Sequence, residues 1–213
     1  MNEKILNITN GDAFNEYFLS KFGGKAVPFR ESMMDGATVI DIYSNEFVAA
    51  RSKELGVSEE EYREKMLTRG DLNILKFEKL NLWFGKDTFC QINVLTLLAY
   101  LEQIEYCGEV WLNYIDDETF DVIEANIKVE LGIYENLYNE ILINKNKTDK
   151  LGVLVSRSIG LFFDYRSETG ALAETVRNNR NMEQTDLICL LLNNSKEYGL
   201  SDIQAKKLIE KYK

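Results

Sequence analysis

The sequence predicts an α/β fold: a mostly parallel sheet flanked by helices in a Rossmann-like three-layer arrangement, with an α-helical C-terminal portion. Three observations predict it. Short apolar runs over the first 130 residues are each followed by a segment of helical periodicity, the order that builds parallel sheets. The chain opens with a strand, the turn Asn10-Gly11-Asp12 and an amphipathic helix. From about residue 134 the strand signals stop and only helical patterns follow.

Residues 5–9, Ile-Leu-Asn-Ile-Thr, read as the first strand, and the helix after it carries Phe14, Tyr17 and Phe18 on its apolar face. Gly23-Gly24 end that helix. Residues 26–29 form a second strand, which Pro28 assigns to an edge or a strand end because proline cannot donate to a ladder. After Asp35-Gly36 a helix is expected from about Ser44 to Leu55, and Ser58-Glu59-Glu60-Glu61 is a capping box for another, closed by Gly70. Residues 80–84 alternate as a third strand. Gly85-Lys86-Asp87 then lead into a largely buried helix with Val94, Leu97, Leu98 and Leu101 on one stripe. A fourth strand covers 110–115 and ends at Asp116-Asp117, and the weaker alternation of Ile127, Val129 and Leu131 allows a fifth. Trp83, Trp111 and the strand phenylalanines are expected in the core.

Beyond residue 134, helices are expected at 135–143, 149–165, 170–178 and 185–193. The last helix is opened by the capping box Ser201-Asp202-Ile203-Gln204, with Ala205, Leu208, Ile209 and Tyr212 at i, i+3, i+4 and i+7. The chain therefore divides into an α/β domain, 1–134, and an α-helical region, 135–213, packed on it.

Composition excludes several functions. The chain has 213 residues, 45% of them hydrophobic and 28% charged, which is an ordinary globular balance with enough apolar residues for a core. Its net charge of -10 opposes the counterion-release attraction on which nucleic-acid binding rests, so nucleic acid is not an expected partner. It has no histidine, which removes triad hydrolysis and histidine-ligated zinc. Cys90, Cys107 and Cys189 are odd in number and contain no CxxC pair, as suits a reduced compartment. The first residues lead into a short apolar stretch broken by Asn7, and no segment reaches the roughly 18 to 20 apolar residues that span a bilayer. A cytoplasmic location without membrane contact is expected.

In a mostly parallel sheet, ligands bind outside the carboxyl ends of the strands. That placement nominates Asn10, Gly11, Asp12, Arg30, Glu31, Lys86 and Asp87 as ligand-binding candidates, with Asp116 nearby. Helix N-termini near residues 12 and 87 would present free N–H groups to a phosphate or carboxylate, with Arg30 or Lys86 as its cation. A simpler reading stands beside this one. Asp12 and Asp87 each sit where a helix wants an N-cap, and Arg30 can pair with an aspartate as readily as with an anion.

Three stretches also carry a family resemblance: Ile8-Thr9-Asn10-Gly11-Asp12, then Phe29-Arg30-Glu31-Ser32-Met33-Met34-Asp35-Gly36, then Leu82-Trp83-Phe84-Gly85-Lys86-Asp87 with Gln91 in the next helix. Over residues 5 to about 115 they resemble the bacterial family known as domain of unknown function 1835, and the Gly199-Leu200-Ser201 helix start resembles its later part more loosely. The shared residues are Asn10, Gly11, Asp12, Arg30, Gly36, Trp83, Phe84, Asp87 and Gln91, with Glu31 and Asp35 as acidic equivalents. Where the family tends to have histidine, this chain has Asn7, Met34 and Lys86; Ala13 stands for its serine and Gly85 for an acid. The resemblance implies a fold and a site location that adds Gln91 to the candidates, and it brings no activity with it. Imidazole chemistry, if relatives use it, is absent here.

No complete catalytic motif is present. Gly85-Lys86 lacks the upstream glycine and following Ser/Thr of a P-loop, and Gly11 alone is no dinucleotide fingerprint. The Gly11-Asp12 opening lacks the serine of Gly-Asp-Ser esterases. No cofactor and no metal site is specified, although a magnesium site on Asp12, Asp87 and Asp116 is compatible with oxygen-only ligands. Cys90, in the first turn of its helix, is either an activated thiolate or, with more support, a buried structural cysteine. The leading expectation is a binding or regulatory protein that takes a small anionic ligand or a protein partner at the strand ends. Two alternatives stay open: a magnesium-dependent or phosphate-handling enzyme using Asp12 and Asp87, and a DNA-binding regulator using residues 186–213 with Lys206, Lys207, Lys211 and Lys213.

Overall fold

Five strands form the sheet, in the order β2-β1-β3-β4-β5, in a computed structural model that describes residues 4–66 and 74–213. Gly70 lies outside the described residues. β1 (Ile5–Asn10), β2 (Ala26–Phe29), β3 (Lys79–Phe84) and β4 (Glu109–Ile115) are parallel, and β5 (Val122–Val129) closes one edge antiparallel to β4. β2 occupies the other edge, where Pro28 leaves no internal ladder bond unmade. The register sets Val27, Ile8, Leu82, Leu112 and Ile127 in one row across all five strands. Because side chains alternate, Leu6, Ile8, Leu80, Leu82, Phe84, Val110 and Leu112 all point to the same face, and all are buried.

That face is covered by α4 (Thr88–Gln103), the helix with the continuous apolar run; it buries even Thr88, Gln91, Asn93 and Thr96. The buried polar groups are satisfied: Asn93 Oδ1 accepts from Met33 N at 3.1 Å and its Nδ2 donates to Glu31 O at 2.7 Å, tying down the segment after β2. α2 (Asn45–Leu55) and α3 (Glu59–Lys65) are N-capped by Ser44 and Ser58, as their local chemistry requires. The opposite sheet face carries Asn7, Asn81, Trp83 and Trp111. It is covered by α1 (Gly11–Lys21), whose Phe14 and Phe18 form a separate aromatic cluster with Trp83 and Phe120. Trp111 is thus not a core residue. It is half-buried, with Lys79 over its ring and its indole N–H on Glu109.

The C-terminal helices are α5 (Tyr134–Tyr138, continued by a π turn over Asn139–Ile143), α6 (Ser156–Arg166), α7 (Ala171–Asn178), α8 (Gln184–Asn194) and α9 (Asp202–Tyr212). The same apolar core runs from the sheet through α4 into these helices. Glu102 of α4 caps α5 by accepting from Tyr134 N at 2.9 Å and Glu135 N at 2.7 Å. Ser201 and Gln204 form the expected capping box. The helix expected over 149–165 begins only at Ser156, because tertiary partners claim the backbone before it. Val153 O accepts from Tyr114 Oη, and Val155 N donates to Gln91 Oε1. Among the described residues, no helix is long and apolar enough to cross a membrane.

Candidate functional site

The strand order turns back on itself between β1 and β3, so the crevice beyond their carboxyl ends is where an open α/β sheet offers a ligand site. β1 delivers Asn10 and Gly11 to it, and the β3–α4 turn delivers Asp87. Gly11 has a φ of 74°, a left-handed value that lets strand become helix without a turn residue between. Asn10 is the N-cap residue of α1, yet its side chain makes no cap bond. Its amide instead donates to Cys90 Sγ at 2.9 Å. Asp87 does cap its helix, its Oδ1 accepting from Cys90 N at 2.8 Å.

Asp117, at the head of the β4–β5 turn, completes the group. Its carboxylate is hydrogen-bonded to Asp87 and lies 3.7 Å from Cys90 Sγ through either oxygen. One donor atom from each of Asp87, Cys90 and Asp117 lies within 4.8 Å of the others. Two glycines make the approach feasible. A Cβ on Gly85 would overlap Asp117 Oδ2, and one on Gly199, just before α9, would overlap Asp87 Oδ1. Gly199 thus brings the C-terminal region up to the site, where Thr88 Oγ1 also donates to Glu197 O at 3.0 Å.

No lysine or arginine forms an ion pair with Asp87 or Asp117 among the described residues. The electrostatic result is direct. Burial of its carboxylate, then the hydrogen bond and like charge of Asp87, push Asp117 up to about 8, so Asp117 keeps its proton at neutral pH. Although the Asp117 residue as a whole lies at the surface, its carboxylate is the part turned inward. The Cys90 thiol is pushed well above its usual range by burial and then by the two carboxylates, which supports the buried, protonated cysteine over the activated thiolate.

The remaining sequence candidates separate into other groups. Asp12 is in the first turn of α1, not at its cap, and makes a two-oxygen pair with Arg30 at 2.7–3.0 Å on the surface. Glu31 is buried in a different place, against Arg51 at 3.3 Å and the Tyr62 hydroxyl. Lys86 pairs with Glu124 at 3.0 Å and lies over the Tyr114 ring. Gln91 is a strut, donating to Gly85 O at 2.8 Å and accepting from Val155 N. Asp116 spends its carboxylate on its own turn, accepting from Glu118 N and Thr119 N, which holds it below the ordinary carboxylate range. The sequence-level trio of Asp12, Asp87 and Asp116 is therefore not assembled; Asp87 meets Asp117 instead. Of the C-terminal lysines, Lys206 pairs with Asp202, Lys213 donates to Met182 O, and Lys207 and Lys211 line a cleft with Asp35 and Glu54.

The chain matches no family model, and no curated protein matches it at a significant level.

Proposed function

We propose that this protein is a binding protein whose strand-end crevice holds a divalent cation on the carboxylates of Asp87 and Asp117, and that the cation presents a small anionic ligand there. One observation carries this reading: two carboxylates are driven together at the sheet's switch point, and among the described residues no lysine or arginine pairs with either. A hard cation relieves that repulsion and takes oxygen ligands; magnesium in particular is held by one or two carboxylates with the remaining positions left to water and phosphate. The anion is then held through the metal, which fits the commitment of Arg30 and Lys86 to Asp12 and Glu124. Cys90 offers a third donor that a softer cation would recruit.

Calorimetric titration and thermal melts with Mg²⁺, Mn²⁺ and Zn²⁺, each against an EDTA-treated sample, test the reading. Asp87→Asn keeps an N-cap, so it and Asp117→Asn should fold and lose the cation response. Cys90→Ser should weaken Zn²⁺ alone. No response to any of the three ions at pH 8, or an unchanged response in Asp117→Asn, overturns the cation site.

A second reading rests on Asp117, pressed against Asp87: a carboxyl that stays protonated near neutral pH is competent as a general acid. Hydrolysis or transfer of a phosphorylated substrate lost in Asp117→Asn with cation binding retained would favour the enzyme.

A further inference from the structure

A cavity lies away from the strand ends, where the segment after β2 and α2 meets α6 and α9. It has a volume of about 280 Å³ and is lined by Asp35, Glu54, Tyr165, Arg166, Lys207 and Lys211 among others. Its charges are sorted by origin. Both acids come from the α/β half, Asp35 from the segment after β2 and Glu54 from α2. All three cations come from the C-terminal helices, Arg166 from the last turn of α6, and Lys207 and Lys211 one turn apart on α9. None of the five forms an ion pair, with each other or elsewhere, among the described residues.

Helix dipoles favour a cation in a last helical turn, which accounts for Arg166 and Lys211 being basic. They do not account for two acids that line the same cavity with no ion pair of their own among the described residues. Nor does local stability, since like charges at i, i+4 on α9 repel. The cationic side is crowded further by Lys145, which burial and then Arg166 hold down to about 8. Asp35 is held in place: Arg51 Nη1 donates to its backbone carbonyl at 2.6 Å and the Tyr165 hydroxyl to its Oδ1 at 2.6 Å, so turning its carboxylate across to the lysines costs the Tyr165 bond. Arg166 is similarly placed by its stacking over Phe162.

We infer that this cleft is a binding site for a small zwitterion, whose anionic end lies between Arg166, Lys207 and Lys211 and whose ammonium end lies on Asp35 and Glu54. The volume falls at the small end of ligand pockets, which sets the ligand at metabolite size. A molecule carrying both charges completes both halves of the cleft at once, whereas a simple anion leaves the acids facing its own charge.

The test is calorimetric or NMR titration of the full chain with the free L-amino acids and O-phosphoethanolamine, with acetate, inorganic phosphate and ethylamine as single-charge controls. At least one zwitterion should bind saturably and at least about tenfold more tightly than every control, the worth of one added charge-assisted contact. Lys207→Gln with Lys211→Gln should cost roughly tenfold or more. Glu54→Gln should weaken the zwitterion while strengthening inorganic phosphate, an inversion that a general loss of folding cannot produce. Lys206→Gln, on the same helix but paired outside the cleft, should leave affinity unchanged. Because the strand-end site is separate, Asp117→Asn should also leave it unchanged, so either site can fail alone. Absence of saturable binding by the panel, phosphate binding as tightly as any zwitterion, or binding that survives the double lysine variant overturns the inference.

Discussion

Two carboxylate sites in this molecule use the same chemistry in opposite ways. Glu31 is buried against Arg51 and Tyr62, and both members of the ion pair have fully buried side chains. Burial pushes Glu31 upward, and Arg51 and the Tyr62 hydroxyl pull part of that shift back, so its charge has partners on the spot. Arg51 also donates to Asp35 O and Ser32 O, so the group fastens the segment after β2 to α2. Asp87 and Asp117 have each other, an amide and a thiol, and among the described residues no lysine or arginine paired with them. The first group answers its carboxylate within the chain, leaving Arg51 Nε as its one unpartnered buried atom, and the second is completed only by a proton or by something added. That contrast, more than burial itself, separates a structural carboxylate from the pair proposed to bind a cation.

The contrast is broken most forcefully at Arg51. Arg51→Met leaves Glu31 buried without its cation, and urea unfolding should show a loss of about 3–5 kcal/mol. Glu31→Leu in the same chain should recover most of it, because the uncompensated charge goes with it. Since Glu31 can escape by taking a proton, the single variant should suffer less at pH 5 than at pH 8. A loss below ~1 kcal/mol would mean that the Glu31 group is as open as the Asp87 group.

Asp117 should respond in the other direction. Its folded value of about 8 lies above its ordinary 3.8, so the folded chain holds a proton that the unfolded chain has released between those limits. The resulting stabilisation is complete below about pH 4 and is lost as pH rises towards 8, the sign opposite to that of a salt-bridged carboxylate. Asp117→Asn should flatten that slope and, at pH 8–9 without added cation, gain about 1 kcal/mol after solvent screening is allowed for, read as ~2–4 °C in Tm. Wild-type stability that does not fall between pH 5 and 8 would remove the like-charge pair from the account.

Why Asp117 escaped the sequence, while most of the fold did not, follows from what is local. The caps Ser44, Ser58 and Ser201 and the edge proline Pro28 act on their own backbone, so each could be placed from a few neighbouring residues. Which of two adjacent aspartates turns inward is a different matter: Asp116 closes the β4–β5 turn, and that leaves Asp117 to face Asp87. Arg51 was equally hidden, a basic residue on a helix beside Phe47 and Val48, with its partner twenty positions earlier and assigned to the strand ends. The overlong helix at 149–165 has the same cause, since its first turn lost its backbone groups to Tyr114 and Gln91, both distant in sequence.

Gly85→Ala separates geometry from charge. Gly85 has an ordinary φ, so alanine adds only a methyl group, and that methyl group displaces Asp117 Oδ2. Relief of the like-charge contact and the lower chain entropy of alanine offset the steric cost, so net stability should move by less than about 1 kcal/mol. The cation response should nonetheless disappear, as in Asp117→Asn. A retained response would show that the two carboxylates are not held by this close approach.

The smallest effect is expected at Arg30, and it sharpens the comparison because the residue types match those of the buried pair. Arg30 and Asp12 meet with better geometry than Arg51 and Glu31, through two oxygens at 2.7–3.0 Å against a single 3.3 Å contact. Yet Asp12 is mostly exposed, and solvent screens the pair. Arg30→Ala should therefore cost only about 0.2–1 kcal/mol, and the difference from wild type should shrink further in high salt. Because Arg30 is committed to Asp12 and the anion is proposed to be held through the metal, titrating inorganic phosphate with Mg²⁺ present should give an unchanged signal in Arg30→Ala and none in Asp117→Asn. Equal loss in both would place the anion on the arginine and not on the metal.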